Sequence, residues 1–361
     1  MKSLVRDVLS KGEEMRGFGE VEMTAEEQEL RELLEKLRTN IKVVGCGGGG
    51  TNTITRLMES GITDVELIAA NTDAQHLLTV LAHRKVLLGK RLTRGLGAGS
   101  LPRVGEEAAR ESEEELRSIL QGSDIVFITC GLGGGTGTGA APVVAEIARE
   151  MGALTIAVCT LPFTAEGRMR MENAYWGLER LSETADTVIT IPNDRLLQLV
   201  PRLPLTVAFK VADELLMRAI KGIAEMITRP GLVNLDFNDL KTVMKGAGVA
   251  MIGMGESDSD NRAEDAVSEA INSPLIEADI STAHGALVNV VGGENMTIGE
   301  AQRVAEIIQE RIKENAKIIW GASVDPTMQN TMRVMVVITG VTSPHIHGRD
   351  RLKKGIVERV E

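Results

Sequence analysis

Apolar positions along this chain follow two different periods, and the changes of period mark its elements. Nearly unbroken apolar runs stand at 41–44, 65–70, 125–130, 154–160 and 188–191, each followed within two residues by Gly, Asn or Pro. Short runs rich in Val and Ile predict strands buried on both faces. Between them, apolar residues recur every three or four positions, which predicts helices. One runs through Ile54, Leu57 and Met58 to Gly61, another covers 106–120, and a third covers 140–151, with Pro142 in its first turn and Gly152 past its end. Strand–helix alternation from 41 to 192 predicts a doubly wound parallel sheet, which offers ligand loops at the carboxyl ends of its strands. The longest periodic stretch, 205–227, repeats Leu205, Ala208, Ala212, Leu215, Leu216, Ala219, Ile223 and Met226, and predicts a long, mostly core-facing helix. Strands at 249–252, 286–291, 317–320 and 333–338 with helices at 261–271 and 298–312 predict an α+β unit. Before 41, Thr24 to Glu27 fits a capping box, and Leu30, Leu33, Leu34 and Leu37 follow at helical spacing, predicting an amphipathic helix packed on the main body. The expected organisation is α/β. It has a helical extension at 1–40, a ligand-binding doubly wound domain at 41–204, a central helix at 205–228, an α+β domain at 229–342 and a polar tail at 343–361.

Composition narrows the picture. The chain has 361 residues, enough for two cores, and only 2% aromatics, so those cores are built from Val, Ile, Leu, Ala and Met. A net charge of -11, with few rings to stack on bases, argues against a nucleic-acid partner. Cys46, Cys130 and Cys159 lie in or beside strand-like runs without Cys-x-x-Cys spacing, which predicts reduced thiols in a cytoplasmic protein. The first residues, MKSLVRDVLSKGEE, lack the apolar core of a signal peptide, and no apolar run reaches membrane-spanning length. Any membrane association is therefore expected through a partner, not by insertion.

Candidate chemistry centres on Gly131-Leu132-Gly133-Gly134-Gly135-Thr136-Gly137-Thr138-Gly139, which joins a predicted strand to a predicted helix. Such a loop lets backbone N–H groups approach an anion, and the helix dipole favours negative charge there. Thr136 and Thr138 add hydroxyl donors. The loop holds no Lys, so it is not the common Walker loop. A second glycine run has Gly45, Gly47 and Gly50 at dinucleotide-fingerprint spacing, which keeps a Rossmann dehydrogenase open with Asp73 as its ribose acid. Two glycine loops at strand ends suit a triphosphate gripped from several sides. Taken alone, Glu166 and Arg170 are an exposed i,i+4 ion pair, and Asp236 and Asp239 are an N-cap and a dipole partner at a helix start. The basic run from His83 to Arg94 reads as a solvated face. His76 and His83, without ligand company, read as structural or exposed.

The stretch GGGTGTG at 133–139 resembles the tubulin-family signature in the form carried by the FtsZ family of prokaryotic cell-division GTPases. Further motifs follow in matching order from 41 to about 340. The resemblance implies a first phosphate loop at Gly48, Gly49, Gly50, Thr51 and Asn52, where Thr51 replaces the more usual Gly or Asn. It implies a second at Asn71, Thr72 and Asp73, a γ-phosphate loop at Gly97, Ala98 and Gly99, and a central grip through Gly134, Gly135, Thr136, Gly137, Thr138 and Gly139. It places Glu166 and Arg170 at the ribose and base edge, Asn193 on the purine and Phe209 stacked on guanine. Asp213 accepts from guanine's two adjacent donors, a pair that adenine lacks. Asp236 and Asp239, in an NxDFxD pattern, are given the activation of water on a neighbouring subunit's GTP.

The implied protein assembles head to tail and converts GTP to GDP and phosphate. Mg²⁺ is expected on the β- and γ-phosphates, with no protein ligand assigned to it, because the loops bring no Lys. Expected partners are further copies of the chain, a membrane adaptor and division proteins; the expected location is the mid-cell ring. Residues 343–361 resemble neither the long linker nor the adaptor-binding peptide of many bacterial members. The alternative is a GTP-binding cytoskeletal or regulatory relative with little hydrolysis, which Asp236 and Asp239 speak against. The dehydrogenase is a more distant alternative.

Overall fold

The computed structural model describes residues 39–199, 204–229, 231–233, 235–276 and 279–341. The expected N-terminal helix and the tail from 343 lie outside the described residues. The first units are β1 (Ile41–Cys46), α1 (Gly47–Glu59), β2 (Val65–Asn71), α2 (Ala74–Thr79) and β3 (Arg84–Leu87). Then come α3 (Pro102–Glu111), α4 (Glu113–Leu120), β4 (Ile125–Gly131), α5 (Thr136–Glu150), β5 (Leu154–Leu161), α6 (Arg168–Thr184), β6 (Thr187–Pro192) and α7 (Asn193–Leu199). The long α8 (Leu205–Thr228) leads to α9 (Phe237–Met244), β7 (Gly248–Ser257), α10 (Arg262–Ile271), β8 (Gly285–Gly292), α11 (Ile298–Arg311), β9 (Lys317–Val324) and β10 (Met332–Thr339).

Among the described residues ten strands join one sheet in the order β3-β2-β1-β4-β5-β6-β7-β10-β8-β9. From β3 to β7 every pairing is parallel, β10 runs antiparallel to β7 and β8, and β8 pairs β9 in parallel. The strands β1, β5 and β6 are buried at every residue, as their apolar runs require. One face packs Val43, Phe127 and Ile156 under Ile54 and Leu57 of α1 and Leu216, Ile220 and Ile223 of α8. The other packs Val44, Ile128 and Ala157 under Ala108, Leu116, Val144 and Leu178 of α3 to α6. A third cluster covers β7 to β10 with α10 and α11. Cys46, Cys130 and Cys159 stand in register across β1, β4 and β5. Burial pushes the Cys46 and Cys159 thiols up to about 12, so they pack rather than react.

Several elements depart from the expected pattern. β3 falls inside the basic run, because an edge strand of four residues buries only Val86 and leaves Arg84 and Lys85 in solvent. The helix α6 carried too little apolar signal, since its buried stripe is Ala174, Gly177, Leu178 and Leu181. The single helix expected over 106–120 is two, parted at Ser112, whose hydroxyl accepts the Gly89 N–H at 3.0 Å. Finally, α5 begins at Thr136 rather than Ala140, so Pro142 lies in its second turn. Tertiary packing overrides the low helix propensity of Gly137 and Gly139: an added Cβ at Gly139 would lie 1.9 Å from Pro102 O.

Candidate nucleotide site

The strand order reverses between β1 and β4, and a doubly wound sheet opens its ligand crevice at that point. The N-termini of α1 and α5 meet there, and neither helix has an acidic residue in its first turn. Both dipoles are thus left to attract an external anion. The glycines of the two loops divide by what surrounds them. Gly50 is pressed on Thr129, where an added Cβ would lie 2.2 Å from the carbonyl oxygen, so it serves close packing of α1 on β4. Around Gly48 and Gly134 nothing lies within 4 Å of such a Cβ. Gly48 and Asn52 are exposed, and Gly49 is half-buried.

Side-chain bonds tie the loops together. Thr51 is fully buried and turns its hydroxyl back to Gly47 O at 2.8 Å and Gly48 O at 3.1 Å. Thr138 is also buried, and its hydroxyl accepts the Gly133 N–H at 2.9 Å, which pairs it with its own loop instead of open space. The Thr136 hydroxyl bonds that of Thr72 at 2.6 Å, so the Asn71–Asp73 segment is fastened to α5. Gly97 N–H donates to Thr72 O at 3.1 Å, folding the Gly97–Gly99 segment over the same residues. Ala98 closes against Gly135, where an added Cβ would lie 2.8 Å from its methyl group.

A second group of side chains gathers where β5 and β6 end. Glu166 accepts from the Phe163 N–H and from Arg170, both at 2.9 Å, so the expected ion pair exists and leaves Arg170 half exposed. Asn193 opens α7, and its side-chain oxygen is buried without a partner. An orphaned acceptor of this kind is rare in a folded chain. Phe209 is 39% exposed and touches Phe163 edge-on, with ring centroids 5.1 Å apart. One turn along α8, Asp213 faces Arg56 of α1 at 3.7 Å. Burial pushes the Asp213 carboxyl up to about 6, against the pull of Arg56. Since α8 packs on α1, α7 and β5, Phe209 and Asp213 sit beside the elements that carry the loops and Asn193.

Asp236 and Asp239 are elsewhere. They form a reciprocal capping box on α9, with Asp239 N–H donating to Asp236 at 2.8 Å and Asp236 N–H to Asp239 at 3.4 Å. They follow the far end of α8, whose 24 residues rise about 36 Å. Sequence reasoning passed over Arg56 and Phe163, placed Thr72 in the second loop without a bonding role, and read His76 as structural or exposed. Arg56 and His76 are helix residues and Thr72 and Phe163 follow strand ends, and the contacts of each appear only when a second element is placed against it.

The chain matches two family models: "Tubulin/FtsZ family, GTPase domain" over residues 40–201 and "FtsZ family, C-terminal domain" over residues 248–342. It is 59% identical over 356 residues to cell division protein FtsZ 1 of Archaeoglobus fulgidus, covering 97% of this chain and 95% of that one. With FtsZ 1 of Pyrococcus furiosus it shares 56% identity, covering 96% and 94%. Among solved structures, an empty FtsZ dimer of Methanocaldococcus jannaschii aligns with a TM-score of 0.84 and 56% identity over 88% of this chain and 93% of that chain. A GTPγS-bound protofilament of CetZ2 from Haloferax volcanii aligns with a TM-score of 0.73 at 21% identity, over 90% of this chain and all of that one, a likeness of fold.

Proposed function

The chain belongs to the FtsZ family of cell-division GTPases, and from that premise we propose that its hydrolytic site forms between subunits stacked head to tail. The observation that carries this is the length of α8. Phe209 and Asp213 lie near its start, and Asp236 and Asp239 lie beyond its end. A nucleotide whose base rests at one end keeps its γ-phosphate out of reach of acids at the other. Those acids reach the nucleotide of the next subunit instead. A heterologous contact of this kind repeats into an open filament.

In this reading, Gly48, Gly49, Gly50, Thr51 and Asn52, with Asn71, Asp73 and the loops at 97–99 and 134–139, hold the triphosphate through backbone N–H groups and helix N-termini. Glu166 and Arg170 border the ribose, Asn193 and Asp213 meet guanine, and Phe209 stacks on it. Mg²⁺ supplies the compensating charge on the β- and γ-phosphates. Asp236 and Asp239 orient and polarise the attacking water, so that catalysis is mainly positioning and electrostatics. Residues 41–204 act as the GTP-binding domain, 205–228 as the central helix and 229–342 as the α+β domain. Leu78, Leu96, Leu101 and Met169, between 59% and 86% exposed on segments that border the crevice, supply apolar contact for the next copy. Among the described residues no helix is long and apolar enough to cross a membrane. The proposed site of action is the mid-cell ring, with an adaptor and other division proteins. The test is GTPase rate per subunit against protein concentration: it rises as filaments form, and a flat rate down to the monomer range would return the two acids to plain helix capping. A weakly hydrolysing regulatory relative or a dehydrogenase is not favoured by the family match.

Guanine selectivity gives two expected results. Asp213→Ala weakens GTP binding by about 1–3 kcal/mol, the cost of leaving buried donors unpaired, and leaves ATP binding unaffected. Competition between the two nucleotides checks this, and equal affinity of the unmodified chain for both would remove the assignment. The second result concerns pH. Guanine takes the carboxylate, so binding releases the proton from a group that titrates at about 6. GTP affinity therefore falls about tenfold per pH unit below 6 and is flat above it. Fluorescence titration from pH 5 to pH 7.5 measures the slope, which Asp213→Asn abolishes. Stability of the nucleotide-free chain runs the other way. Because the folded value lies above the usual 3.8, the contribution of Asp213 is full below about 4 and is lost as pH rises through about 6.

A further inference from the structure

The phosphate loops at 48–52 and 71–73 belong to different strand–helix units, and a half-buried imidazole stands between them. His76, in the first turn of α2, holds Nδ1 3.1 Å from Asn71 Nδ2 and 3.3 Å from Thr51 Oγ1. The Asn71 amide has a fixed sense. Its Oδ1 accepts the Asp73 N–H at 3.3 Å, which turns Nδ2 toward the ring. An amide nitrogen only donates, so Nδ1 is the acceptor and the neutral ring carries its proton on Nε2. Thr51 has one hydroxyl proton and points it at Gly47 O, 2.8 Å away, so the Asn71 amide supplies the proton in the contact with Nδ1. The backbone of His76 adds a further tie, its N–H donating to Asp73 Oδ1 at 3.0 Å. One residue thus touches Asn71 and Asp73 of the second loop and Thr51 of the first.

We propose that His76 is a positioning residue for nucleotide binding: through Nδ1 it accepts the Asn71 amide and fixes that side chain, and with it the second loop, where the ring lies beside Thr51 of the first. The proposal rests on the reading of this crevice as the GTP site. Asn71 is only 3% exposed. Without the ring acceptor its Nδ2 is buried unpaired, or the side chain turns and releases the loop. A histidine that merely fills space at the start of α2 makes no such demand on its nitrogen.

The two roles separate by substitution. His76→Leu keeps the bulk and removes the acceptor, while His76→Asn places an amide oxygen where Nδ1 stands. Affinity is read with a fluorescent GTP analogue, and turnover at saturating GTP is read separately. The expected result for His76→Leu is a loss of affinity of about tenfold, the scale of one buried hydrogen bond, with kcat changed less than about twofold. His76→Asn recovers most of that loss. Because His76 acts through Asn71, the pair His76→Leu with Asn71→Ala binds no more weakly than Asn71→Ala alone. This comparison holds even where the leucine variant is less stable, since folded fractions are matched by binding-site count. Unchanged affinity in His76→Leu, an asparagine variant as impaired as the leucine one, or additive losses in the pair would each overturn the proposal. An unmodified chain that binds no GTP fails the functional reading itself, and this inference with it.

Discussion

Asp239→Asn binds GTP normally and loses turnover by about 10²–10⁴, the range for removing a positioned acid–base group. Asparagine isolates the charge from the fold. The Asp239 side chain accepts the Asp236 N–H and Asp236 accepts the Asp239 N–H, and Asn caps a helix as well as Asp does. The variant therefore keeps its capping box and its thermal midpoint, and Asp236→Asn behaves alike. In the proposed shared site neither acid serves the subunit's own nucleotide, so the expected equilibrium binding of labelled GTP is unchanged. Turnover as poor in dilute unmodified protein as in the variant, with full activity restored at filament-forming concentration, is the signature of a site shared between copies.

Gly48→Val and Gly134→Val abolish GTP binding while the fold stands. Both positions have open space where a side chain would project and neither has a positive φ, so valine fits the backbone. The added methyl groups occupy the volume where a phosphate would approach the N–H groups. Each hydrogen bond lost to a charged phosphate costs about 1.5–3 kcal/mol, or roughly ten- to a hundredfold in affinity. Gly135→Val is a poorer probe, because its Cβ would meet Ala98 and the Leu101 N–H within 2.9 Å and displace the loop at 97–101. Binding of labelled GTP decides, with circular dichroism as the control for folding. Normal affinity in both valine variants would give the two loops another role.

The two silent variants also test each other. Asp239→Asn supplies bound GTP without the acid, and Gly48→Val supplies the acid without GTP. Mixed in equal amounts and randomly stacked, about a quarter of their heterologous contacts pair a nucleotide with an intact acid. Activity therefore returns on mixing, up to roughly that fraction of the unmodified rate. A mixture that pellets as filaments yet stays silent means that each subunit works on its own nucleotide.

Much of this molecule was legible before any coordinates. The strands β1, β2, β4, β5 and β6, the helices α1 and α5 and the long α8 follow from apolar period alone, because burial on both faces demands nearly unbroken apolar runs. The order of the glycine loops and the spacing of Phe209 to Asp213 were equally plain. Weakly apolar elements were not. The short β3 buries one side chain, and α6 buries an alanine, a glycine and two leucines, so neither leaves a period strong enough to read.

What the sequence determined by itself is the set of segments that must be covered and the residues at their carboxyl ends. A segment's own pattern records how much of it leaves water, and that much is local. Which other segment covers it is a relation between residues far apart, and only the tertiary structure decided that. It sorted the glycines into those pressed on Thr129 and Pro102 and those facing open space. It joined β6 to β7, so that one sheet runs from β1 to β10. It left the Asn193 oxygen buried without a partner, and it set His76 between two loops. Each of these depends on a hydrogen bond or a van der Waals contact closing across the fold. Such contacts act over about 3–4 Å in space and have no period along the chain.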